Sequence, residues 1–299
     1  MARCRLRRSP SCWFSSASRL RSPPGPVAAR RSHVRSESLQ RFPALILAAH
    51  VLCFWPVWRW YVARMTDGSD EPWGIAALIA ALLLTWPKRD AWTLRTDDRL
   101  LWAAALLTFA YAAAVPFAPP LARAALAMAA LACSWVSIAG LRSKLAPVVV
   151  LFALSLPVIA SLQFFLGYPL RAITTAGSAL TLQIAGFDVE RSGTALLWQG
   201  HTVLVDAPCS GVRMLWTGAA LACVVALYRD AIGWRSLMTL LLLSGAAALF
   251  ANVLRAAALF VLETRDAPVS ELLHSGVGAA TFALTAALIV LIVQRVARA

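Results

Sequence analysis

Long apolar runs dominate this sequence and limit what it can fold into. A helix needs about 20 apolar residues to cross the hydrocarbon core of a bilayer. Hydrophobic residues make up 60% of the 299 and charged residues only 14%, whereas soluble domains are about 45–50% apolar and about 25% charged. We predict an all-α, polytopic transmembrane helix bundle of about eight spans, at 42–62, 73–87, 99–117, 121–141, 146–166, 210–228, 235–262 and 275–294.

The basic residues predict how these spans are oriented. The chain carries 28 Lys and Arg against 14 Asp and Glu, a net charge of +14. The basic residues cluster before the first span and in alternate loops, as membrane topology signals do. They are not interleaved with aromatic residues on one face, as a nucleic-acid surface requires. We therefore expect both termini in the cytoplasm, a bacterial inner-membrane location with lipid as a partner, and no nucleic-acid binding.

Two regions of the chain differ in composition. Residues 1–41 hold ten Arg and one Glu among many Ser and Pro. Such a segment cannot bury a core, so we predict a disordered basic cytoplasmic tail. A transit peptide has a similar composition, and whether these residues are genuine stays open. Residues 42–299 form the predicted membrane domain, and its sizeable extramembrane insert is 167–209.

The insert 167–209 changes its pattern half-way along. Apolar residues at helical spacing up to Gly186 predict a small extracytoplasmic helix along the outer membrane surface. Beyond it, apolar and polar residues alternate around Gly193 and Gly200, which is typical of a β-hairpin. Because Cys209 follows directly, this hairpin would deliver the cysteine to the start of the sixth span.

Of the six cysteines, Cys209 has the setting that suggests chemistry. We predict that it lies in the first turn of the sixth helix, where the helix dipole and Arg213, four residues on, favour the thiolate. An inert small residue at a helix end is equally consistent. The spacings match no metal site and no disulfide framework, and we expect no cofactor. The other five cysteines lie in the tail or inside apolar runs: Cys4, Cys12, Cys53, Cys133 and Cys223.

Polar residues near the ends of the later spans complete a candidate site. Arg255 is costly within a span and should face the bundle interior. Asn252 shares its helix face, and the pair can stabilise an oxyanion or a carboxylate. His274 precedes the small residues that open the eighth span and can act as a general base, in competition with His201 in the hairpin. Two other interpretations stay open. The Arg255 side chain could snorkel to the outer head groups, and His274 could be a solvated residue at the interface. The predicted topology, however, puts both residues on the outer face with Cys209.

At these residues the chain resembles the exosortase/archaeosortase family. The family's motif of Pro or a small residue followed by Cys-Ser-Gly-x-Arg falls on Cys209 and Arg213. Its Asn-x-x-Arg element falls on Asn252 and Arg255, and its late histidine on His274. The resemblance covers about residues 145–295 in motif order, and the earlier spans in hydropathy alone. It implies that Cys209, Arg255 and His274 are catalytic and that Arg213 and Asn252 support them.

The resemblance also implies an integral-membrane cysteine protease or transpeptidase. Its partners would be exported proteins with a carboxy-terminal sorting signal, namely a PEP-CTERM-like motif, a hydrophobic helix and a basic tail. Cys209 would form a thioester, His274 would move the proton, and Arg255 would stabilise the oxyanion. The alternative is a non-catalytic membrane component of polysaccharide export or envelope assembly.

Overall fold

Ten α-helices and one small sheet make up the part of the chain that the structure describes. The computed structural model describes residues 45–66, 68, 73–86, 97–228, 233–264 and 271–296, and the predicted tail 1–41 lies outside them. The predicted all-α architecture is confirmed. The helices are α1 (Leu45–Cys53), α2 (Trp55–Thr66), α3 (Trp73–Leu84), α4 (Asp98–Ala114), α5 (Pro120–Ile138), α6 (Leu145–Leu154), α7 (Ile159–Ile184), α8 (Val212–Leu227), α9 (Trp234–Glu263) and α10 (Glu271–Val296).

Several of these helices can cross a membrane. By length and apolar composition, α5, α9 and α10 each qualify alone. Two bent pairs qualify when joined: α1 with α2, at 64°, and Arg142–Leu154 with α7, at 90°. The described residues therefore hold three to five candidate spans. α3 and α8 are apolar but shorter, at about 18 and 24 Å. The chain is a helical membrane protein, and the eight-span topology stays a prediction.

The predicted fifth span is not one straight helix, because the chain bends by 90° between α6 and α7. Pro157 explains the break, since proline has no backbone N–H and its ring clashes with the carbonyl four residues back. Tyr61 Oη donates to the Ser155 carbonyl at 2.8 Å. Trp216 Nε1 donates to the Leu154 carbonyl at 3.2 Å. The carbonyls that the break frees therefore have donors, as apolar surroundings require.

The predicted small extracytoplasmic helix is also wrong as a separate element. Its residues belong to α7, which runs unbroken through Pro169. One side of α7 packs closely on α9: Ser178 Oγ donates to the Val253 carbonyl at 3.0 Å. An added Cβ on Gly177 would stand 2.8 Å from Val253 Cγ2, so the glycine lets the two helices approach.

The two sides of α7 differ in exposure. The side that faces the bundle is mixed, with the polar Thr174 and Ser178 buried alongside the apolar Leu170 and Leu182. The opposite side exposes large apolar residues: Phe164, Phe165, Tyr168, Ile173, Leu180 and Ile184. A helix of a soluble protein has the reverse arrangement, with its apolar stripe against the core. The outer side of α7 therefore suits lipid, and its inner side brings several polar groups into the bundle.

Where the alternating pattern predicts a hairpin, the structure has a three-stranded antiparallel sheet in the order β1-β2-β3. Gln199 and Gly200, with φ of +48° and +83°, form the turn between the second and third strands, as two-residue hairpin turns require. One face of the sheet packs through Leu196 on Leu182 and Phe260, near the ends of α7 and α9. The strands are β1 (Glu190–Ser192), β2 (Ala195–Trp198) and β3 (His201–Leu204).

Candidate active site

Cys209 lies in a short 3-10 turn between the sheet and α8. The turn spans Ala207–Cys209. The Cys209 N–H donates to the Asp206 carbonyl at 2.9 Å, and the Ser210 N–H donates to the Ala207 carbonyl at 3.2 Å. The thiol is free and partly buried. The cysteine is therefore presented by a loop that its own hydrogen bonds shape.

The helix that follows begins only at Val212. Gly211 caps it with φ of +87°, a left-handed conformation that side chains with a Cβ avoid. The prediction that Cys209 lies in the first helical turn is therefore wrong. The helix face that it would share with Arg213 does not exist, and the dipole acts mainly on the first turn itself. Arg213 is exposed in that turn.

Asn252 of α9 holds the backbone of Cys209. Its Nδ2 donates to the Cys209 carbonyl at 2.9 Å and to Thr174 Oγ1 at 3.0 Å. An amide nitrogen carries two hydrogens, so both are engaged, and the predicted oxyanion role of Asn252 does not fit this geometry. Gly211 makes the approach possible, because a Cβ there would stand 2.9 Å from Asn252 Nδ2. Asn252 therefore positions the backbone of the cysteine. Thr174, the second partner of this amide, was not indicated by the sequence patterns.

Arg255 of α9 packs against α10 and acts on Cys209 through its charge. Its guanidinium packs on Gly278 of α10, where an added Cβ would stand 3.6 Å from Nε. Within the described part of the chain, Arg255 Nε is a buried donor without a hydrogen-bond partner. Leaving a buried donor unpaired costs about 1–3 kcal/mol. An acceptor that arrives at this point, such as a peptide carbonyl, would be stabilised.

His274 lies on α10, which begins earlier than predicted. Residues four apart share a helix face, so His274 stands on the face whose Gly278 contacts Arg255. Its imidazole is partly exposed. The structure thus joins Cys209 and Arg255 electrostatically and puts His274 one helical turn from the contact of Arg255 on α10. The competing base, His201, is exposed at the start of β3.

Burial raises the pKa of the Cys209 thiol above its ordinary value. Arg255 acts in the opposite direction by favouring the thiolate, and the carboxylates of Glu263 and Asp206 raise the pKa further. Burial is the largest of these influences, so it works against the thiolate that Arg255 favours. Glu263 was missed at the sequence level. Its spacing of eight from Arg255, two turns along the same helix face, was the available clue.

The chain matches the family model described as Transmembrane exosortase (Exosortase_EpsH) over residues 63–291. It belongs to the transmembrane exosortase family. The resemblance seen in the short motifs is therefore confirmed, and the match includes Cys209, Asn252, Arg255 and His274. No curated protein and no solved structure matches the chain significantly.

In this exosortase, the polar groups near Cys209 divide into two kinds. Neutral groups on α7 and α9 hold the turn, and charged groups, Arg255 and Glu263, act on the thiol through space. Among the described residues, no cluster of three or more His, Cys, Asp and Glu could hold a metal ion. A thiol under the influence of a guanidinium that has a spare buried donor among the described residues is an arrangement that acyl transfer can use.

Proposed function

We propose that this exosortase is an integral-membrane cysteine protease or transpeptidase. It cleaves a PEP-CTERM-like carboxy-terminal sorting signal of exported proteins at the outer face of the cytoplasmic membrane. The observation that carries the proposal is the pairing of Cys209 with Arg255. Asn252 holds the backbone carbonyl of Cys209, the charge of Arg255 acts on the thiol, and the buried Nε of Arg255 has no hydrogen-bond partner among the described residues.

The raised pKa of the thiol makes a general base necessary. His274 takes the proton from the Cys209 sulfur as the sulfur attacks the carbonyl carbon of the scissile peptide. The carbonyl oxygen becomes an oxyanion, which the Nε–H of Arg255 stabilises. The tetrahedral intermediate collapses, the C–N bond breaks, and His274 protonates the leaving amine. The product is a thioester on Cys209. Water or an acceptor nucleophile then attacks the thioester and restores the thiol.

Two surface features of the protein can hold the substrate. The exposed apolar side of α7 shows that the bundle has a surface suited to hydrocarbon, along which the hydrophobic helix of the sorting signal can lie. Arg213 is exposed in the first turn of α8 and binds an acidic residue of the signal. In this topology both termini are cytoplasmic and the cysteine is extracytoplasmic, so the basic tail of the substrate stays on the cytoplasmic side.

Co-expression with a tagged candidate substrate tests the function. Cys209→Ala, Arg255→Ala and His274→Ala should each block processing while the protein still reaches the membrane. Cys53→Ala, which removes an exposed thiol elsewhere, should process the substrate like the wild type. Full processing by Cys209→Ala would reject the enzyme and favour a non-catalytic component of polysaccharide export or envelope assembly.

A membrane-impermeant maleimide tests the predicted topology separately. Cys209 should be labelled from outside the cell, in a variant that retains no other cysteine. Labelling that requires lysis would place Cys209 in the cytoplasm and overturn the extracytoplasmic site.

A further inference from the structure

Gln163 of α7 contacts both ends of the turn that carries Cys209. Its Nε2 donates to the Ala207 carbonyl at 3.2 Å, and its Oε1 accepts a hydrogen bond from Ser210 Oγ at 2.9 Å. Together these partners fix the orientation of the amide. In the flipped orientation, Oε1 would face the Ala207 carbonyl oxygen, and two acceptors would meet without a hydrogen between them. One side chain therefore bridges the residues on either side of the cysteine.

Gln163 and Asn252 hold the same turn from two different helices. Asn252 of α9 binds the Cys209 carbonyl, and Gln163 of α7 binds the flanking residues. With the backbone of Cys209 fixed in this way, the sulfur can move mainly among the staggered positions of its χ1 angle. The place of the sulfur relative to Arg255 therefore depends on both amides.

Two features of the fold bring Gln163 to this position. A straight continuation of α6 would carry residue 163 about 13 Å beyond Leu154 along the α6 axis. The 90° bend before α7 turns the chain aside instead. Gly167, one turn after Gln163, leaves room for the amide, because a Cβ there would stand 2.8 Å from Nε2. The proline break, the glycine and the glutamine together create the contact.

We infer that Gln163 is a positioning residue for the nucleophile of this exosortase, and that it acts through the 207–210 turn. The inference rests on the proposed function for its catalytic meaning, whereas the holding of the turn can be measured without any substrate. Gln163 has no acidic or basic group, so it neither donates a catalytic proton nor changes charge. A residue with a merely structural role would change the stability of the bundle and leave the reactivity of the folded Cys209 unchanged.

The test measures the alkylation of Cys209 by iodoacetamide against pH. The full-length chain is used with its other four cysteines replaced by alanine, so that Cys209 and Cys223 remain. Cys223 is fully buried in α8, so its protection reports that the bundle stays folded. Gln163→Leu removes both hydrogen bonds with little change in volume. Gln183→Leu is the matched control, since Gln183 also lies on α7 and donates to a backbone carbonyl, that of Val189 at 2.8 Å.

We expect Gln163→Leu to loosen the turn and expose the thiol. Since burial is what raises the pKa of Cys209, its alkylation midpoint should move to lower pH while Cys223 stays unlabelled. Processing of a tagged substrate should fall by about 10- to 100-fold, the cost of misplacing a reacting group. Ser210→Ala, which removes one of the two bonds, should act in the same direction by a smaller factor. Gln183→Leu should match the parent chain in both measurements.

The outcomes separate the two proposals. If Gln163→Leu keeps the parent alkylation profile and processes substrate normally, the positioning role is overturned. Labelling of Cys223 in both Gln163→Leu and Ser210→Ala would also overturn it, because the effect would be loss of the fold. If Gln163→Leu changes Cys209 alkylation with Cys223 protected, but the parent chain processes no substrate, the hold on the turn is supported and the proposed function fails.

Discussion

The two ends of α8 use hydrogen bonds for different purposes. At its carboxyl end, Lys144 Nζ donates to the Leu227 carbonyl at 2.7 Å, and nearby Arg142 pairs with Asp97 at 2.6 Å. Asp97 in turn caps α4 by accepting from a backbone N–H. Here cations meet helix carboxyl ends and carboxylates, so each charge has a partner. These contacts stabilise the helices.

At the amino end of α8, the side chains that hold the backbone are neutral amides, and a nearby cation has a donor without a partner. Gln163 and Asn252 hold the cysteine turn, and the buried Nε of Arg255 has no hydrogen-bond partner within the described residues. The difference teaches that the type of partner can separate a structural helix end from a candidate site. Paired charges hold the carboxyl end, whereas neutral amides hold the cysteine turn, and under the proposed function the spare donor of Arg255 receives the substrate.

Arg255→Ala should break this comparison most strongly. Removal of an oxyanion donor typically costs about 10²- to 10³-fold in rate, and substrate processing should fall by that order. The pKa of Cys209 should also rise further, because Arg255 is the group that lowers it. Arg142→Ala is the control at the other end of α8 and should process normally. Equal losses in the two variants would show that Arg255 contributes only to folding.

Asn252→Ala should have the next largest effect. The variant leaves the partly buried Cys209 carbonyl and the buried Thr174 hydroxyl without their donor, so the free energy of unfolding should fall by about 1–3 kcal/mol. Processing should fall by at least about tenfold, since the turn is freed. Ser178→Ala removes another hydrogen bond between α7 and α9 and should leave processing intact. Thermal unfolding in detergent and the processing assay measure the two effects, and normal processing by Asn252→Ala would contradict the positioning role.

A pair of glycine substitutions sharpens the comparison of the two ends. Gly211 caps the amino end of α8, and Gly140 lies two residues before Arg142, which is near the carboxyl end. Gly211 and Gly140 have φ of +87° and +65°, and a Cβ at Gly140 would meet nothing within 4 Å. Gly140→Ala should therefore cost about 1–2 kcal/mol for its backbone conformation alone. Gly211→Ala should cost more and impair processing, because its Cβ would push against Asn252. Both variants are measured for unfolding and for processing. Equal losses in Gly211→Ala and Gly140→Ala would contradict the close approach of Asn252 as the reason for Gly211.

Glu263→Gln should have the smallest effect. The negative charge of Glu263 disfavours the thiolate and raises the pKa of Cys209, so its removal should lower that pKa. Alkylation of Cys209 at neutral pH should become faster, and the midpoint should move to lower pH. Asp97→Asn, at the other end of α8, should leave the profile unchanged. A midpoint that moves upward would mean that Glu263 acts on the thiol in some other way.

Much of the helical framework and the family could be predicted from the sequence. Apolar runs report helices directly, and the polar residues that interrupt them, Asn252 and Arg255, do face the interior: one is 1% exposed and the other has a buried Nε. The reason is that the membrane makes polar groups expensive except where other groups receive them. The exosortase motifs added the identity, because their order along the chain is specific even though each is short.

The bend and the cysteine turn could not be predicted because they depend on distant partners. Pro157 and Pro169 look alike in sequence, yet only the first breaks a helix. The donors for the freed carbonyls come from Tyr61, 94 residues away, and Trp216, 62 residues away. Whether Cys209 precedes or joins its helix is likewise decided by contacts with α7 and α9. Local pattern contains no information about such contacts.

Among the described residues, the side chains that hydrogen-bond the 207–210 turn are uncharged: Gln163 and Asn252, with Ser210 of the turn itself. Dissolved ions screen exposed charge pairs such as Arg142–Asp97, whereas amide and hydroxyl contacts carry no net charge to screen. Neither amide titrates at any acidity that a cell envelope meets. The conformation of the turn should consequently not change with high salt or mild acid. A pH–rate profile would then report the reacting sulfur, its proton acceptor and their charged neighbours, and not the groups that hold the turn.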